Sequence, residues 1–158
     1  MARHIQTRTA DNYRDQLERV RRFFGRLKNQ NRSDVDYQDD TWAFFQNCWH
    51  LEDWICTDNM APWKIRDDVR KLVRDSPPLM ISHDMANRTK HRVLKSARAG
   101  TGAGHELTYT LITVVGETVV DTYIDTGDGQ RRSGLEVASE CIGEWERILR
   151  SVGLPIDR

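Results

Sequence analysis

The chain has 158 residues, balances 24 Lys+Arg against 24 Asp+Glu, and is 30% charged and 38% apolar with five Trp. That length suits one domain able to bury its own core, and a composition so balanced and aromatic excludes a disordered tail or a membrane-embedded chain. Met1–Gln6 has no apolar leader, and the 3 widely spaced cysteines read as buried thiols of a reduced, cytoplasmic chain.

Residues 1–9 carry no pattern and read as a flexible N-terminal tail. Over 10–30, Tyr13, Leu17, Val20, Phe24 and Leu27 recur at helical spacing and predict a first helix. A second helix is expected over 39–57, with Asp39, Asp40 and Thr41 at its N-terminus. Its apolar residues Trp42, Phe44, Phe45, Cys48, Trp49, Leu51, Ile55 and Cys56 cover about half the circumference, the mark of a central bundle helix. A third helix over 63–75 turns Trp63, Ile65, Val69, Leu72 and Val73 inward and stops at Pro77-Pro78. A fourth, over 79–97, has Leu79, Met80, Ala86, Val93 and Leu94 inside. Residues 98–105 form a Gly-rich linker that lacks the Gly-Lys-Ser/Thr ending of a phosphate loop.

Residues 106–126 are β-branched and aromatic, and Gly116-Glu117 suits a two-residue turn between two strands. That register puts Tyr109, Leu111, Thr113 and Val115 on one face with Thr118, Val120, Thr122 and Ile124. The turn at 126–130 leads toward a short third strand. A last helix over 134–152 follows from Leu135, Ala138, Cys141, Ile142, Trp145, Ile148, Leu149 and Val152. The predicted fold is α+β and α-dominated. A four-helix bundle-like core over 10–97 is followed by a β-hairpin and a C-terminal helix, all in one domain.

The zero net charge is unevenly distributed. Residues 1–33 hold nine basic and three acidic side chains, while 34–60 hold seven acids and no Lys or Arg. Residues 61–100 hold ten bases and four acids, and 101–158 five bases and ten acids. Neighbouring helices of opposite sign neutralise one another, or the basic blocks share a surface for an anionic partner. On the fourth helix Arg88, Arg92 and Lys95 share the outward face, with Arg98 just beyond, and these four are the nucleic-acid-binding candidates. Arg14, Arg21 and Lys28 repeat every seven residues along the first helix.

The fourth helix also carries polar residues where apolar ones belong. Lys90, His83, Asn87, His91 and Asp84 fall within or beside its inner arc. Buried polar groups without partners are costly, so these five need them. His50 and Asp53, on the polar flank of the second helix, are the nearest source. Three readings follow. One is a hydrogen-bond network that fixes helix register. Another is a catalytic site of Asn87, Lys90, His91, His50, Asp53 and Asp84. There a His acts as acid or base, Lys90 neutralises developing charge and Asn87 orients. The last is a metal site from His50, Asp53, Asp84 and His91, although no zinc spacing or Glu-x-x-His pair supports it.

Ala86-Asn87-x-x-Lys90-His91 after a helical run, with Cys48-Trp49-His50-Leu51 upstream and a trailing hairpin, resembles small bacterial and phage proteins related to HEPN-like helical bundles. The resemblance spans about residues 35–95. It implies an often dimeric, metal-independent protein that binds or cleaves RNA in phage-defence or toxin systems, with no cofactor. The family signature is Arg, four to six residues, then His. Two residues separate Arg88 from His91 and eight separate Arg74 from His83. Arg98 and His105, with six residues between them, meet the spacing inside the Gly-rich segment. A non-catalytic module assembling with itself or a larger partner is the alternative reading, and a metal-dependent hydrolase the third.

Overall fold

The structure, a computed structural model, describes residues 12–88, 106–114, 117–126 and 129–157. The predicted tail, the Gly-rich linker, Lys90, His91, Arg92, Lys95, Arg98 and Gly116 lie outside the described residues.

Five α-helices and a three-stranded antiparallel sheet make up the described fold, which is α+β with helix dominant. Helix α1 runs Tyr13–Leu27. The Asn12 side chain accepts from the Arg14 and Asp15 amides, and the Asp58 carboxylate accepts from the Tyr13 amide at 2.6 Å. Between them they satisfy donors that every helix start leaves open. Tyr13, Leu17, Val20 and Leu27 are buried, as their spacing predicts.

Helix α2 is Asp34–Thr57, five residues longer at its start than predicted. Ser33, rather than the Asp39–Thr41 group, caps it, accepting from the Asp36 amide at 3.1 Å. A single 3-10 turn, Trp63–Ile65, leads into α3, Arg66–Arg74. Pro77-Pro78 does not merely stop the third helix; it opens α4, Pro77–Arg88. Proline at the first helical position loses no bond and has its φ already set. Helix α5 is Gly134–Ser151, capped by Ser133.

The strands are β1 (Glu106–Val114), β2 (Glu117–Thr126) and β3 (Gln130–Ser133), in the order β1-β2-β3. Val114 pairs with Glu117, so Glu117 belongs to β2 and the connection is residues 115–116, one position earlier than predicted. Each pairing therefore moves by two residues, a slip that preserves the two-residue alternation of the strands. Val120, Thr122 and Ile124 on that face of β2 are buried. Beyond the end of β3, the Val120 amide donates to the Gln30 carbonyl in the α1–α2 connector, at 3.1 Å.

Helix α4 lies between α2 and α5, while α1 packs on both α2 and α5 and β2 packs on α5. One apolar cluster joins all of these, with Trp145, Tyr13, Tyr37, Phe44 and Phe45 its largest fully buried side chains. The opposite-sign blocks do meet. Arg26 and Arg32 both pair with Asp40, and Arg21 reaches Glu18 and Glu146. Among the described residues no helix is long and apolar enough to cross a membrane.

Candidate functional site on helix α4

Every residue from Pro78 to Ala86 is buried, so α4 has no solvent face over that stretch. Most of these side chains are apolar, which is what places the helix at the centre. Ser82, His83 and Asp84 are the exceptions. Ser82 donates its hydroxyl to the Phe45 carbonyl of α2 at 3.1 Å, tying the two helices together.

His83 is 6% exposed and Asp84 0%. The His83 Nδ1 lies 2.9 Å from Asp84 Oδ1, and Asn87 Nδ2 lies 2.8 Å from His83 Nε2. An ionised carboxylate can only accept, so the ring proton belongs on Nδ1. In that neutral tautomer Nε2 carries the lone pair and accepts from the Asn87 amide. The edge of this arrangement is closed by Trp49 of α2, whose ring meets His83 at 4.5 Å between centroids and 79° between planes. Aspartate, histidine and asparagine thus form one hydrogen-bonded chain, whose last member, Asn87, is half-buried. A histidine oriented by a buried carboxylate is equipped for proton transfer once its far nitrogen is uncovered.

Two thiols lie under the same helix. Cys141 of α5 donates to the Pro78 carbonyl at 3.2 Å, and Trp145 Nε1 donates to the Cys48 carbonyl at 3.1 Å. Burial, and then the neighbouring Cys48, pushes the Cys141 thiol well above its ordinary range. It is neutral at physiological pH and no nucleophile.

No family model, no curated protein and no solved structure matches the chain. The site is therefore read from its own geometry.

Of the predicted site residues, Asp84 and Asn87 come together, and they do so around His83. His83 is visible in the sequence as a polar residue on the inner arc, yet it stands outside the predicted catalytic set. The predicted partners from α2 do not join it. Helices α2 and α4 pack side by side, but α2 presents Phe45 and Trp49 to the cluster. No hydrogen bond or ion pair among the described residues links His50 or Asp53 to it. Asp53 is exposed and lines an open cleft of about 530 Å³ with Asn12, Trp54, Asp58 and Met60 at the far end of α2. Arg88 is half-buried at the end of α4. Lys90, His91, Arg92, Lys95 and Arg98 follow it outside the described residues.

Among the described residues no three His, Cys, Asp or Glu side chains converge as a metal-binding group. The seven-residue stripe on α1 is also largely engaged. Arg21 holds two glutamates, Arg14 reaches the Asp157 carbonyl and Met60 Sδ, and Lys28 lies 4.6 Å over the Phe24 ring.

Proposed function

We propose that this chain is a HEPN-like helical protein that binds RNA and cleaves it without a metal, using His83 as the proton-transfer group. The observation that carries the reading is the hydrogen-bonded group in α4, where Asp84 meets His83 Nδ1 and, among the described residues, Asn87 meets Nε2. In cleavage of a ribose phosphodiester the 2′-oxygen attacks phosphorus as a base takes its proton, and a cyclic phosphate forms. The P–O5′ bond breaks with a proton from the imidazolium or water going to the 5′-oxygen; a neutral imidazole supplies the base. Rotation of the Asn87 side chain exposes Nε2 and places an amide beside the reacting phosphate. The basic run that continues the sequence from Arg88 supplies cations for the backbone.

A second reading has its own support. At 6% exposure and with both ring nitrogens engaged, His83 also serves as a register-fixing group in a non-catalytic assembly module.

Incubation of the purified protein with labelled single-stranded RNA and excess EDTA separates the two. Under the nuclease reading the wild type cuts, His83→Gln does not, and Asn87→Ala changes the rate while both variants still melt cooperatively. Absence of cleavage in the wild type, or undiminished cleavage by His83→Gln, removes the catalytic role.

A further inference from the structure

Trp63 is expected in the core from its helical spacing, yet it is 73% exposed, the most exposed large apolar side chain among the described residues. Leaving an indole in water forgoes a large burial gain, which makes such a residue informative. It begins the 3-10 turn before α3, and its ring neighbour there is Lys64, whose Nζ lies 5.9 Å from the ring centroid.

The helix that follows has two sides. Val69 and Val73 are buried against the core. Arg66, Arg70 and Arg74 repeat every four residues along one flank, about 6 Å apart on the axis. Arg70 and Arg74 are exposed, as are Lys64 and Lys71. Lys64, Arg66, Lys71 and Arg74 make no ion pair among the described residues. Arg70 meets Asp67 at 3.3 Å, but that carboxylate is 96% exposed, and a pair so wet is easily exchanged for a phosphate. The contrast with α1 is direct, since Arg21 there is held by two glutamates.

We infer that the Trp63–Arg74 face binds single-stranded RNA, with the phosphate backbone along Arg66, Arg70 and Arg74 and an unpaired base stacked on Trp63. The inference rests on the RNA reading above and adds an RNA-binding surface on α3, the helix that precedes α4. A stripe of cations ending at an open aromatic ring is the combination by which proteins hold single strands without reading their sequence. A duplex offers the same phosphates but no free base face.

The test is fluorescence anisotropy with a labelled RNA of about 12 nucleotides, spanning low to moderate salt, against the same RNA annealed to its complement. Trp63→Ala weakens single-strand binding about ten-fold, and Trp63→Phe restores most of it. Arg70→Gln with Arg74→Gln lowers the slope of log affinity against log salt by about 1.4, at about 0.7 for each phosphate that is no longer neutralised. All these side chains are exposed, so melting temperatures stay at the wild-type value. If RNA binds but is indifferent to both sets of changes, the surface is refuted and the function proposed for α4 survives. Equal affinity for the duplex, or a salt effect with no Trp63 effect, refutes the stacked single strand. No RNA binding by the wild type at low salt overturns both proposals.

Discussion

Replacing Gly134 by alanine tests how closely α5 is seated on the sheet. Gly134 opens α5 directly after its Ser133 cap. A Cβ there would lie 2.4 Å from Thr122 Oγ1, 3.3 Å from the Thr122 carbonyl oxygen and 3.4 Å from its Cβ. Thr122 is 1% exposed, so its hydroxyl has no solvent to swing into. A change of rotamer relieves the first clash, but the carbonyl is backbone and yields only if α5 lifts from β2. Overpacking of this kind costs about 1–3 kcal/mol. The better helix propensity of alanine returns at most about 1 kcal/mol, and less in a first turn. The expected net loss is about 1–2 kcal/mol, a fall in Tm of roughly 2–8 °C for a chain of this size. Gly143 in the middle of the same helix is the internal control. Its Cβ would meet nothing within 4 Å, so Gly143→Ala stabilises by about 0.5–1 kcal/mol. Urea unfolding followed by circular dichroism reads both. Thr122→Ala in the Gly134→Ala background removes the Oγ1 contact but keeps the carbonyl, so it recovers only part of the loss, with a coupling of about 0.5 kcal/mol. A Gly134→Ala midpoint equal to or above the parent's, or strict additivity with Thr122→Ala, refutes the close seating.

Asp58→Ala removes the acceptors of two backbone amides, Tyr13 at 2.6 Å and Met60 at 2.7 Å, and with them the tie between the start of α1 and the end of α2. Two charge-assisted bonds of this sort make the expected cost about 2–4 kcal/mol in urea unfolding, and a loss below about 1 kcal/mol contradicts the assignment. The Cys141 thiol, raised by burial and by Cys48, gives a pH signature. Its contribution to stability is complete below the unfolded thiol value, near pH 9, and is lost as pH rises from there toward the folded value. Unfolding midpoints therefore fall above pH 9 more steeply in the parent than in Cys141→Ala. Parallel curves for the two proteins exclude that linkage.

The apolar stripes of α1 and α5 are legible because each runs for four or more turns, so tertiary packing has only to bury a face already drawn. The start of α2 is not. Asp34 to Gln38 offers only Val35 and Tyr37 as apolar residues, and Val35 is 60% exposed, so periodicity gives no signal and only the Ser33 cap marks the boundary. Pro77-Pro78 reads first as what proline forbids, an interior helical position, and only second as what it favours, a first turn. Trp63 fits the spacing of α3, but it sits in the tighter turn before it, where that spacing no longer holds. For the site, a polar run on an inner helical arc is visible from residue types alone. Its partners are not, because adjacent residues on α2 point about 100° apart, and choosing between Trp49 and His50 requires knowing how that helix is rolled. The pairing of His83 with its own neighbour Asp84 also escapes any search for partners on other helices.

The bond from the Val120 amide to the Gln30 carbonyl uses backbone alone, so no side chain at position 30 is needed to make it. What it demands is that the connector between α1 and α2 deliver a carbonyl at one place on the margin of β2. Asn29, Gln30 and Asn31 are thereby free to change identity, while the number of residues from Lys28 to Arg32 is held fixed. One inserted or deleted residue there would move the carbonyl by more than a hydrogen-bond length. The join between the bundle and its sheet is thus encoded as a length.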